Sequence, residues 1–324
     1  MACCEKPAPT FSRDALGLPE KRLIGAIMNS HHLSLRDFLL ALAVVAVWGT
    51  NFVVIRLALD ELPALLLAAL RFAFAFLPVA FFLPRPRVRW AYLVTYGLLI
   101  GVGQFGILFI AMEQDITPGL ASVIVQMQVF FTIALFGWRS GERLRGFQWI
   151  ALLLGVGGIA VIIANASGTT TPLGVALTLA AALAWTGGNL AAKEADPPNM
   201  LAFVVWSSLF AVPPLFLLSL VFDGPQAIAT GLSHASAGAW AAVLWQSIGN
   251  SLFGYAAWGW LLQRHQAATV TPMALLVPVF GMGASIALLG EDFPSWKALA
   301  AVLIIGGLAI IVLAPRWIAR KTAP

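Results

Sequence analysis

The amides of Asn51, Gln104, Gln126, Asn189, Gln246 and Asn250 and the guanidinium of Arg71 all fall inside long apolar stretches of the sequence. A polar group taken out of water costs free energy unless something bonds it, so each of these either bonds a neighbouring helix or faces a polar solute. Ligand binding is the chemistry they offer. Catalysis is not, because His31, His32, His234 and His265 lie outside those stretches and the adjacent Cys3 and Cys4 have no partner elsewhere. No nucleophile, base or metal-ligand set comes together, and no catalytic residue, metal or other cofactor is expected. The segment Gly101-Val102-Gly103-Gln104-Phe105-Gly106 fits a dinucleotide-binding spacing of glycines. It lies within an apolar run, without the preceding strand that such a site requires.

Spacing groups these residues. Gly97, Gly101, Gln104 and Leu108 share one face of an α-helix, as do Ser247, Ser251, Gly254 and Trp258. Gln246 with Asn250, and Ser122 with Gln126, stand one turn apart. Two readings are open for these stripes: an inner polar surface lining a cavity, or close packing of helices through small residues. Gln104 favours the cavity, since hydrocarbon offers an amide no partner. Trp48, Trp185 and Trp258 could wall an apolar substrate, or anchor at the membrane interface as expected for Trp90, Trp138, Trp240, Trp296 and Trp317 at run ends. Arg71 stands eight residues past Pro63, about 12 Å along a helix. It would meet either a substrate carboxylate or, the preferred reading, the carbonyls of a helix end. Pro78, Pro213, Pro214 and Pro278 lie within runs, where a missing donor kinks a helix, either to bend during gating or only to improve packing.

The elements that must position these groups follow from composition. Of 324 residues, 60% are hydrophobic and 10% charged, against about 25% charged in soluble domains. Lipid has to be the outer solvent, and the expected fold class is an all-α integral membrane protein. Ten apolar runs of bilayer-crossing length are expected, at 38–55, 63–83, 91–112, 117–138, 147–164, 172–192, 200–221, 240–262, 268–289 and 294–314. The 222–239 stretch, rich in Gly and Ser, reads as the longest connection. The net charge of +5 is read as topology, not as a nucleic-acid surface. With the N-terminus inside, all of the 19 Lys and Arg except Arg56, Arg71 and Lys297 fall on the inner side. Both termini are therefore expected in the cytoplasm, with tails at 1–37 and 315–324. No cleaved signal peptide is read in 1–27, and Met28 is an alternative start.

The chain repeats itself. Trp48 and Arg56 recur as Trp185 and Lys193, and Gly141-Glu142 with Gly157-Gly158 recur as Gly290-Glu291 with Gly306-Gly307. Each half, 38–164 and 172–314, holds five runs, an odd number, so the second half is expected upside down relative to the first. Trp48-Gly49-Thr50-Asn51-Phe52, Leu70-Arg71-Phe72 and the paired Gly-Glu turns resemble EamA-type members of the drug/metabolite transporter superfamily. The likeness runs from Leu39 to Ala314 and is greatest to the amino-acid and metabolite exporters of the YddG type. It implies a central cavity between two five-helix halves, opened alternately to each side. The second half departs from the pattern at Trp185-Thr186-Gly187-Gly188-Asn189, so matching Asn189 to Asn51 takes a one-residue slip.

The expected function is export of small metabolites, amino acids first, from a plasma membrane. Carriage of a nucleobase or vitamin is the nearest rival. A membrane-embedded enzyme lacks a catalytic constellation, and a channel lacks charged rings. All 14 acids fall in tails, loops or run ends, so facilitated transport without proton or sodium coupling is expected. The implied partners are a small-molecule substrate and the lipid bilayer, with no nucleic acid and the oligomeric partner left open.

Overall fold

The computed structural model describes residues 33–140 and 144–322. Cys3, Cys4, Met28, His31, His32, most of the N-terminal tail and the Gly141-Glu142 turn lie outside the described residues. Among the described residues there is no strand, as expected where lipid leaves backbone polar groups no outside partner. Eight helices among the described residues are long and apolar enough to cross a bilayer: α1 (Leu35–Leu59), α3 (Trp90–Gln114), α4 (Pro118–Arg139), α5 (Gly146–Ala164), α6 (Pro172–Ala195), α7 (Met200–Phe222), α10 (Thr271–Leu289) and α11, whose apolar span is Ser295–Pro315. Between α1 and α3 lies the apolar α2 (Ala64–Ala80), of 17 residues. Between α7 and α10, α8 (Pro225–His234) and α9 (Ala237–Arg264) meet at 101°.

Several of these elements differ from the sequence reading, each for a local reason. α2 stops short of the expected 83 because Leu83 precedes Pro84, which disfavours helical backbone at Leu83. The expected loop at 222–239 contains α8: Gly224, at φ +84°, turns the chain, and Pro225 opens a helix at a position that needs no donor. The run at 268–289 is not one α-helix, since a 3₁₀ stretch, Thr271–Leu276, precedes α-helix Val277–Leu289. Pro278 therefore lies in the first turn of that α segment and not at mid-helix, so it costs no interior hydrogen bond. α4 is interrupted between Ile124 and Met127, where Gln126 N–H reaches Val123 O at 3.2 Å. α11 continues past the expected end at 314 as far as Thr322.

The largest departure is in α3 and α9. Each contains a nine-residue π-helical segment, Leu98–Gly106 in α3 and Trp245–Phe253 in α9. Wide turns of this kind re-aim side chains, and they occur frequently at functional sites. Ser251 Oγ donates to Gln246 O, five residues back, at 3.1 Å, the partner that a widened turn brings within reach.

Corresponding helices of the two halves pack on each other. α2 lies against α7 and α5 against α11, while α1 against α9 is mirrored by α6 against α3. The faces left over are apolar and exposed, as lipid requires: Leu153 of α5 and Leu288 of α10 are each 69% exposed, Trp138 of α4 83%. Polar contacts join the halves near the helix ends. Trp206 Nε1 donates to Leu83 O at 2.9 Å, Arg139 pairs with Glu194 at 2.7 Å, and His265 Nε2 lies 2.9 Å from Asp37. Glu61 accepts Ser236 N–H at 2.6 Å and its hydroxyl at 2.7 Å. Those two bonds hold the Glu61 carboxyl below the usual carboxylate range.

Candidate substrate site

The two small-residue stripes face across the boundary between the halves. A Cβ at Gly97 would lie 2.3 Å from Ser207 O, and one at Gly101 2.2 Å from Ala211 Cβ, so both glycines let α3 close onto α7. For those two, packing is the role the structure gives. The α9 stripe differs, because its hydroxyls are used. Ser247 Oγ donates to Arg71 O at 2.9 Å, and Arg71 Nη2 donates to Ser251 Oγ at 3.1 Å. Gly254 makes room for Trp48, whose Nε1 would lie 2.3 Å from a Cβ there.

Trp48 thus links the halves. Its Nε1 donates to Asn250 O at 3.1 Å, and its ring lies 5.2 Å from that of Trp258 and 6.0 Å from that of Tyr255. Trp48, Asn250 and Trp258 are brought together; Trp185 is not with them and packs half-buried on the main core. Asn51 and Asn189 also differ in surroundings. Asn51 is buried with its Oδ1 unbonded, whereas Asn189 Nδ2 donates to Gln128 Oε1 at 3.1 Å. Thr186 Oγ1 donates to Gln128 O at 3.0 Å, which fixes that side of α6 against α4.

The remaining amides, Gln104, Gln126 and Gln246, are buried, and two of them are incompletely bonded. Gln104, on the π segment of α3, has no partner for Oε1, and Gln246, at 0% exposure on that of α9, has none for either amide atom. Gln126 sits in the break of α4. Pro78 lies in α2, and Pro213 and Pro214 lie in α7, the two helices that pack together.

Arg71 is 1% exposed. Helix-end carbonyls are not its partners. Besides Ser251 it has the face of Phe105, 3.5 Å from the guanidinium carbon to the ring centre, and Phe72 at 5.2 Å, while Nε and Nη1 have no hydrogen-bond partner. A small cavity beside it is bordered by Tyr96, Phe105, Ser208, Ser251 and Tyr255.

Some of these groups were not singled out from sequence. Gln128 is polar within an apolar run, a signal equal to that of Gln126. Tyr96 and Tyr255 are two of only three Tyr in the chain, and each sits well inside a run and away from its ends. Lys297, expected on the outer side, is 7% exposed and pairs at 2.8 Å with Glu291 of the second Gly-Glu turn. The Gly-Glu turn explains how: Gly290, at φ +64°, ends α10 and turns the chain so that Glu291 reaches the start of α4 in the other half. There it accepts the hydroxyl of Thr117 and, at 3.0 Å, the N–H of Gly119.

Duplicated helical halves, lipid-facing apolar surfaces and a buried polar seam define a multi-pass membrane protein of the transporter class. The family model described as "EamA-like transporter family" matches residues 36–164 and 172–313, and the chain belongs to that family. It is similar to a protein of Escherichia coli (strain K12) named "Probable amino-acid metabolite efflux pump", with 39% identity over 88% of this chain and 97% of the relative. A Salmonella typhimurium protein of the same name is 40% identical over 90% of this chain and 99% of its own. An E. coli (strain K12) protein named "Uncharacterized inner membrane transporter YedA" is 25% identical over 84% of this chain and 89% of its own. A solved crystal structure shares the fold, with a TM-score of 0.57 at 19% identity, covering 89% of this chain and 99% of the other.

Proposed function

We propose that this protein is a secondary transporter that exports small metabolites, amino acids foremost, by alternating access and without obligatory ion coupling. The likeness to the proteins named amino-acid metabolite efflux pumps, over nearly their whole length, carries this reading. The core supports it: buried amides and a guanidinium with spare bonding capacity suit a zwitterion, and Trp and Phe beside them suit an apolar side chain.

The same proposal sets the halves as inverted five-helix repeats in the plasma membrane, with both termini cytoplasmic. The eight long helices, the bent α8–α9 pair and α2 would supply ten spans. In that orientation Asp37–His265, Arg139–Glu194 and Leu83–Trp206 lie at the cytoplasmic end, and Glu61–Ser236 and Thr117–Glu291 at the outer end. Both ends are then joined around the core, and alternating access requires one set to break while the other holds. Cysteines placed at Arg87 and Gly168 test the topology. An impermeant thiol reagent applied to intact cells is expected to label Gly168→Cys and to leave Arg87→Cys unlabelled. Labelling of Arg87→Cys would overturn the orientation.

Flux tests the function. Purified protein in liposomes is expected to equilibrate one or more labelled amino acids saturably with no ion gradient, and an imposed proton or sodium gradient is expected to drive no accumulation. Saturable flux of nucleobases or vitamins with none of amino acids would transfer the protein to the rival substrate class. Concentrative uptake driven by either ion would refute facilitated transport.

A further inference from the structure

We propose that Arg71 is the anchor for the carboxylate of the transported solute, at a site on the boundary between the two halves. The inference rests on the amino-acid reading above and names the group that selects the substrate. A guanidinium at 1% exposure is costly without a counter-charge, yet among the described residues no carboxylate pairs with Arg71. Its Nη1 is unpartnered, and Nη2 beside it holds only Ser251 Oγ, so the end-on pair of donors that grips a carboxylate has capacity to spare. The anchor is stiffly mounted: Ser247 and Ser251 of α9 hold the backbone carbonyl and the side chain of the same residue.

Position supports the assignment. The cavity beside Arg71 is walled by α2, α3, α7 and α9, two helices from each half. Arg71 and Ser208 occupy corresponding places in the two repeats, and both line it. A site that straddles the relation between repeats keeps its walls when the halves exchange conformations, which is where carriers bind. The pair is unequal, one cation and one hydroxyl, so the site supplies a single positive charge and suits one carboxylate better than a phosphate or a dianion. As it stands the cavity is about 10 Å³, close to the space of one water. Phe105 fills the place of the anion, its ring face 3.5 Å from the guanidinium carbon. A carboxylate enters when that ring, carried on the π segment of α3, moves off the guanidinium.

The test compares each protein amino acid with its own α-carboxamide in proteoliposomes of the full chain. Wild type is expected to prefer the amino acid by at least about tenfold in kcat/KM, because a site built around a charged group rejects the analogue that lacks it. Arg71→Gln is expected to remove most of that preference through KM, and Arg71→Lys to restore part of it. Ser208→Asp supplies a tethered carboxylate to the same cavity. It is expected to abolish amino-acid flux and raise the Tm, a result that does not depend on Arg71→Gln folding. Amino-acid flux in wild type without preference over the carboxamide would overturn the anchor and leave the transport reading standing. A folded Arg71→Gln with unchanged preference, or Ser208→Asp with unchanged flux, would overturn it too. Absence of amino-acid flux in wild type would remove the amino-acid reading and, with it, this site.

Discussion

Replacing Glu291 with alanine is expected to cost about 3–5 kcal/mol of stability, because it leaves the Lys297 ammonium buried with no opposite charge. The two side chains are 10% and 8% exposed and lie 2.8 Å apart, so this pair is not the screened kind found at surfaces. Lys297 Nζ would keep one bond, to Asp292 O at 2.9 Å, which supplies no charge. Glu291 also does work for another helix. α4 begins at Pro118 after Thr117, which makes no side-chain cap of its own, and Glu291 accepts the free Gly119 N–H there. An anion at a helix N-terminus adds a favourable dipole interaction. Glu291→Gln keeps an acceptor without the charge and is expected to fall between wild type and alanine. Glu291→Ala combined with Lys297→Met removes both charges and is expected to recover part of the loss. Denaturation of the purified proteins in detergent checks this; a Glu291→Ala variant within about 1 kcal/mol of wild type would show a pair that behaves as an exposed one.

Lipid as outer solvent, the duplication and the family were legible in the residues, since each depends on composition and on spacing that survives in one dimension. Local geometry was less so. The reading of Gly97, Gly101, Gln104 and Leu108 as one face assumed 3.6 residues per turn, but Leu98–Gly106 is π-helical and rotates the later positions away from the earlier ones. Pro278 read as a kink because the 3₁₀ stretch before it carries the same apolar residues as an α-helix. Partners were the least legible. Nothing in sequence places Phe105 over Arg71 or Glu291 against Thr117, because these contacts depend on how the two halves pack, and hydrophobic runs specify depth in a membrane better than rotation about a helix axis.

Trp48 and Gly254 are expected to behave as one unit, and their coupling separates a residue that ties the halves together from one that only fills space. Trp48→Ala removes the Nε1 bond to Asn250 O and the tilted contact with Trp258. The side chain is half-buried, so a loss of about 2–3 kcal/mol is expected, below the ~3–5 of a fully buried Trp. Gly254→Val reaches the same end from the other side of the contact. A Cβ at 254 lies 2.3 Å from Trp48 Nε1 and 3.1 Å from Cε2, far inside contact distance. The indole is not a flexible chain end that can step aside by a single bond rotation, so the ring must leave the groove and give up both interactions. Overpacking of this kind costs about 1–3 kcal/mol. In a Trp48→Ala background the groove is vacant, and Gly254→Val should then cost little. The double-mutant cycle is therefore expected to show a coupling of about 1–3 kcal/mol, where independent sites add to within about 0.5. Additive losses would mean that Gly254 is small for a reason other than Trp48. A large coupling together with reduced amino-acid flux in both single variants would connect the α1–α9 contact to the transport cycle, because Trp48 and Asn250 belong to opposite halves and must keep or exchange that bond as the halves move.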